Sequence, residues 1–83
     1  MGKEELGGSL LLEIYLPQLA LSFDVKAAGS VCLSALEAEV YERLGLSVRE
    51  GAVFSMLLER ELCPEGTLCQ EGVNSGDKLI FMF

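Results

Sequence analysis

The chemistry this chain could do would come from three thiols, Cys32, Cys63 and Cys69, and from the carboxylates Glu59, Glu61, Glu65, Glu71 and Asp77. Cys63 and Cys69 flank the Pro64-Glu65-Gly66 turn, a placement that invites a metal or redox reading. Zinc wants about four ligands, His is absent, and the remaining cysteine stands far off where a helix begins. A Cys63–Cys69 disulfide is geometrically conceivable, yet an odd number of cysteines suits a reducing compartment better than a stapled secreted module. The thiols therefore read as small apolar packing groups. Thiol nucleophiles usually depend on a base such as His beside the sulfur, which this chain lacks.

The carboxylates fare no better as a site. Glu59, Glu61, Glu65 and Glu71 lack the alternating oxygen ligands and terminal bidentate Glu of a calcium loop, and read as a solvated acidic face. Asp77, next to Gly76, reads as a turn residue making a local hydrogen bond. Gly66, Gly72 and Gly76 sit in no strand, glycine loop and helix sequence and have no phosphate-binding lysine motif. The expectation is no catalytic, cofactor-binding or metal residue, and no enzymatic activity of the chain's own.

Composition narrows the partners. Thirteen Asp plus Glu against 6 Lys plus Arg give a net charge of -7, which repels phosphate backbones and anionic lipid, so no nucleic-acid partner is expected. Apolar residues make up 51%, enough for a core in a single small domain and too many for disorder. No apolar run approaches the roughly 20 residues a membrane span needs, so no direct membrane insertion is expected. Met1 to Gly8 reads as a flexible N-terminal leader, residues 9–83 as one domain, and the location as cytoplasmic.

The elements that must carry any site follow from periodicity. Leu10, Leu12, Ile14 and Leu16 alternate with Leu11, Glu13 and Tyr15, a half-buried strand. Leu19, Leu21, Phe23 and Val25 repeat the pattern. A tight turn at Pro17-Gln18 would set Leu16 opposite Leu19; Pro-Gln suits that turn poorly, and a looser four-residue connection is the alternative. Leu33, Leu36, Val40 and Leu44 then form one helical stripe, with Ser30 or Ser34 to cap it and Gly45 to end it. Ala52–Leu58 reads as a third strand, Glu59-Arg60-Glu61 as a charged turn, and Leu62 as the start of a very short fourth strand. After the turn Asn74 to Asp77, Leu79, Phe81 and Phe83 alternate with Ile80 and Met82. That last strand is too apolar for a wet edge, which places it centrally and parallel to the first. The fold class is α+β, a mixed four- to five-stranded sheet packed on one α-helix.

This order resembles the ubiquitin-like β-grasp family from Ser9 to Phe83. The likeness is carried by the first hairpin, the helix positions Leu33, Leu36 and Val40, the Gly45-Leu46 pair after the helix, and the segment holding Thr67, Leu68, Val73, Gly76, Asp77 and Leu79. Within that family it is most similar to the small YukD-like proteins associated with bacterial type VII secretion, through Thr67-Leu68, Gly72-Val73 and the Asn74 to Leu79 turn. The resemblance implies a non-enzymatic adaptor or accessory. Family modifiers and sulfur carriers end in a flexible Gly-Gly tail, whereas this chain ends Ile80-Phe81-Met82-Phe83. A carrier cut short of that tail, or the ubiquitin-like domain of a larger protein, are the alternatives.

A β-grasp helix covers one sheet face. If Leu79, Phe81 and Phe83 face the core, Ile80 and Met82 face the other way, joined by Leu11 and Tyr15 from the first strand and by Leu57, or Met56 under a shifted register, from the third. Such an apolar group on an uncovered face suits a protein partner or self-association.

Overall fold

The period-two run at the start becomes β1, Ser9–Leu16, with Leu12, Ile14 and Leu16 buried and Leu11 exposed. The computed structural model describes residues 9–83; the expected leader, residues 1–8, lies outside the described residues. β1 returns through a four-residue connection, in which Pro17–Leu19 form a 3-10 turn and Ala20 takes a left-handed conformation at φ 50. The looser alternative is therefore the one adopted. It pairs Leu16 with Leu21, not with Leu19, and leaves Leu19 exposed. β2 is Leu21–Ala28, antiparallel to β1 over its whole length.

Helix α1, Leu33–Arg43, buries Leu33, Leu36, Val40 and Tyr41. Neither Ser30 nor Ser34 caps it: Cys32 holds the N-cap position without a side-chain bond. The first free N–H groups are taken instead by the 64–66 turn, Leu33 N–H by Gly66 O at 2.9 Å and Ser34 N–H by Pro64 O at 3.0 Å. Gly45, at φ 71, ends the helix in the left-handed conformation that a side chain resists.

The third strand is shorter than its apolar run, with β3 at Ala52–Ser55. Residues 56–59 form the turn, and Arg60–Glu61, expected in that turn, form strand β4. Leu62 follows, buried, with its N–H bonded to Val53 O at 2.8 Å. Helix α2, Leu68–Glu71, was not expected; Thr67 and Gln70 close a capping box at its start. β5, Lys78–Met82, runs parallel to β1 and antiparallel to β3. The sheet order is β2-β1-β5-β3-β4, so the last strand is central as its composition requires. Phe83 keeps the helix side, with its ring edge-on to Tyr41 at 5.5 Å, but it is exposed rather than part of the core. Leu12, Ile14, Leu79, Phe81 and Val53 from the sheet and Leu33, Leu36 and Val40 from α1 share one core, with Leu62, Leu68 and Val73 filling the end under α2.

Candidate protein-interaction surface

Register decides which side chains share the face that α1 leaves open. Tyr15 pairs with Ser22 and Ile80, Ile80 with Phe54, and Phe54 with Glu61, so one row runs across all five strands. Tyr15, Ile80 and Phe54 are half-buried at its centre. A second row joins Asp24, Glu13 and Lys78, and Leu11 beside Lys26 and Met82 beside Ala52 lie toward opposite ends. Leu11 is 52% exposed and Met82 42% exposed. Lys78 lies across the middle, its Nζ 3.9 Å from Glu13 Oε2 and 5.4 Å from the Tyr15 ring centroid. The face is thus an aromatic and aliphatic band interrupted by one cation, with carboxylates on either side.

Ile80, Met82, Leu11 and Tyr15 stand on this open face as their alternation places them. Leu57 does not extend β3 into the band; it is in the turn after the strand, 63% exposed. Met56 continues the alternation of Ala52 and Phe54, with its N–H bonded to Lys78 O at 3.0 Å. Phe54, the residue at the centre of the band, was missed. The signal was the shared parity of Ala52, Phe54 and Met56, hidden in a run apolar at nearly every position.

Several expected roles change. Asp77 is fully buried and bonds far beyond its own turn: Ser55 Oγ donates to Oδ2 at 2.5 Å and Leu57 N–H to Oδ1 at 3.1 Å, while Leu58 N–H donates to Ser55 Oγ at 3.0 Å. This carboxylate holds the turn after β3 against the start of β5, where Met56 N–H bonds Lys78 O and Phe54 pairs with Ile80. Glu71 is not part of a solvated face. It accepts from Cys63 N–H at 2.8 Å and from Arg60 at 3.2 Å, and those bonds lower its pKa, the Cys63 N–H foremost.

The cysteines are not core groups. Cys63 and Cys69 are exposed, Cys32 is half-buried, and all three are free thiols. They sit at turns and helix starts, where Cys63 Sγ lies 3.0 Å from Glu65 Oε1. Cys32 Sγ lies 3.4 Å from Ser34 Oγ and 3.3 Å from Pro64 O, and the Ser34 hydrogen bond lowers its thiol pKa. Among the described residues, no three Cys, Asp or Glu side chains gather as a metal site would need.

The chain matches no family model and no curated protein. It is similar to solved structures along almost its whole length. The C-terminal ubiquitin-like domain of mouse tubulin-specific chaperone e superposes with a TM-score of 0.78 at 16% identity, covering 100% of this chain and 94% of that one. A ubiquitin-like domain from tubulin-binding cofactor B gives 0.76 at 18% identity over 89% and 88%. The ubiquitin of Caldiarchaeum subterraneum gives 0.74 at 20% identity over 90% and 92%. At such identities the likeness speaks for architecture, and with the sheet order and helix above it shows that the chain has the ubiquitin-like β-grasp fold.

Proposed function

We propose that this chain is a non-enzymatic protein-interaction module that docks a partner on the open sheet face. The observation that carries the reading is the row Tyr15, Ile80 and Phe54, flanked by exposed Leu11, Met82 and Met56, on a face that no helix among the described residues covers. An apolar centre of this kind supplies most of the binding energy, and polar flanks set orientation. The flanks here, Glu13, Asp24 and Glu61, belong to a chain of net charge -7, so the fitting partner has an apolar ridge edged by Lys or Arg. Charge of this sign also disfavours nucleic acid and anionic membrane as partners. No helix among the described residues is long and apolar enough to cross a membrane.

Within this reading, the partner belongs to a type VII secretion machine and the setting is cytoplasmic. The support is the sequence likeness of Thr67-Leu68, Gly72-Val73 and Asn74 to Leu79 to YukD-like proteins, together with three free thiols. A second reading, a ubiquitin-like domain serving a larger protein, is favoured by the neighbours from tubulin-binding cofactor B and tubulin-specific chaperone e, each of which is a domain of a named protein.

The test is capture from the native host's lysate with the wild type beside an Ile80→Glu, Met82→Glu double variant whose fold is checked by circular dichroism. Proteins recovered by the wild type and lost with the variant are expected, secretion components among them. Equal recovery with both baits would reject the open face as the docking site.

A further inference from the structure

A different surface, the outer edge of the sheet, is open to a second contact. Among the described residues β2 is the outer strand of the sheet, paired with β1 at all eight positions on one side and with no strand on the other. The opposite edge, β4, is two residues long. Long unpaired edges invite another strand, and natural proteins blunt them with proline, bulges or charges. β2 reads LSFDVKAA, without proline and with regular pairing throughout, so only Asp24 and Lys26 could blunt it.

We propose that β2 pairs with β2 of a second copy, antiparallel and centred on Val25, giving a two-fold dimer with a continuous ten-stranded sheet. In that register Asp24 of each copy lies opposite Lys26 of the other, so the two charges that would repel a stranger's strand attract a copy. On the helix side, Phe23 lies opposite Ala27, large against small, and Val25 meets Val25. Neighbouring registers fail for stated reasons. Moving the centre by half a residue puts Asp24 opposite Val25 and would turn one copy's helix to the wrong face. Centring on Asp24 or Lys26 sets like charges opposite each other, which destabilises a cross-strand pair. Centring on Phe23 avoids the clash but shortens the overlap to residues 21–25, whereas the Val25 register pairs Ser22 through Ala28.

The groove beside this edge fits the same contact. It has a volume of about 310 Å³, a floor of Phe23, Val25, Leu36 and Val40, and a helix rim of Glu39 and Arg43. That rim is already neutral, since Arg43 bonds Glu39 at 3.1 Å. Phe23 and Val25, half-buried in the single copy, would be covered by the incoming strand. The dimer axis stands perpendicular to the sheet, so both open faces point the same way and stay free.

Charge reversal tests this by sedimentation equilibrium across a concentration series, with circular dichroism as the check on folding. The wild type is expected to dimerise. Asp24→Lys alone, or Lys26→Asp alone, replaces two attractive cross-strand pairs with two repulsive ones and should raise the dimer Kd about tenfold. The double swap Asp24→Lys with Lys26→Asp should restore it, which a merely misfolded variant would not do. A monomeric wild type, or a dimer indifferent to both single reversals, would overturn the proposal. So would a dimer abolished by Ile80→Glu with Met82→Glu, because that result assigns self-association to the open face; capture of a different protein through that face would leave the β2 contact standing.

Discussion

At the scale of single residues, two buried polar groups behave in opposite ways. Asp77 is satisfied by Ser55 Oγ and Leu57 N–H, and removing Ser55 Oγ would leave the carboxylate one donor short and Leu58 N–H without its acceptor. Ser55→Ala should therefore cost about 1–3 kcal/mol in urea unfolding. Asp77→Ala should cost at least as much, and Asp77→Asn, which keeps an acceptor, less. The Tyr41 hydroxyl is also buried but has no hydrogen-bond partner among the described residues. Its ring packs edge-on against Phe81 and Phe83, so Tyr41→Phe keeps the packing and removes only the orphan group. That variant should unfold at an equal or higher urea concentration than the wild type, since an unpaired buried polar group is a cost rather than a support. The two proteins should diverge further in alkali. Burial foremost, and then the Glu37 charge, push the Tyr41 pKa from 10.0 to about 12. A pKa raised by folding means stability is held below pH 10 and lost as pH climbs toward 12, because the unfolded chain gives up the proton first. Tyr41→Phe should lack that share of the alkaline loss.

Elements were legible where their period had room to repeat. β1 spans eight residues and α1 eleven, long enough for alternation at two and for the stripe of Leu33, Leu36 and Val40 to stand out. β5 was placed in the centre of the sheet by hydrophobicity alone, since Leu79, Ile80 and Phe81 have no polar residue among them. Short elements had no such signal. Arg60–Glu61 form a strand through pairing with Phe54 and Ser55, a fact of tertiary position that two charged residues cannot announce. The turn after β1 used Ala20 at positive φ, where neither Gly nor Asn marked the place. Half of the open face was readable from the parity of β1 and β5, whereas Phe54 needed the end of β3, and that end is set by the Asp77 bonds. Helix α2 is the one short element whose sign was visible, in the spacing of Thr67 and Gln70. Both bonds of the box form, Gln70 N–H to Thr67 Oγ1 at 3.1 Å and Thr67 N–H to Gln70 Oε1 at 2.9 Å. With four residues the helix has little else to hold its first turn, so Thr67→Ala should lower stability by about 1 kcal/mol in urea or thermal unfolding, and Thr67→Ser by much less.

At the scale of the whole molecule, charge and the β2 contact oppose each other, and magnitudes decide how salt acts on them. Two bodies of net charge -7 with centres about 25 Å apart, twice the radius of gyration of 12.3 Å, repel by about 8 kcal/mol in salt-free water. Screening leaves roughly 3–4 kcal/mol of this at 0.01 M salt, where the Debye length is about 30 Å, and under about 0.5 kcal/mol at 0.15 M, where it is about 8 Å. The two Asp24–Lys26 pairs of the seam act over about 5 Å, so the same change in salt weakens them together by only roughly 0.5 kcal/mol. Relief of the long-range repulsion wins by about 2–3 kcal/mol, on the order of a hundredfold in Kd. The dimer should tighten as salt rises from 0.01 to about 0.15 M and change little beyond, because the repulsion is by then nearly gone. Sedimentation equilibrium at stepped salt concentrations reads this directly. Steady loosening over the same range would mean that ion pairs, not backbone pairing and the covered Phe23 and Val25, hold the copies together. The consequence reaches the open face as well: two copies carried on one side of a shared sheet would bind a partner with repeated sites by avidity, while each contact with a Lys- or Arg-edged partner loosens as salt rises, so capture should peak at intermediate salt.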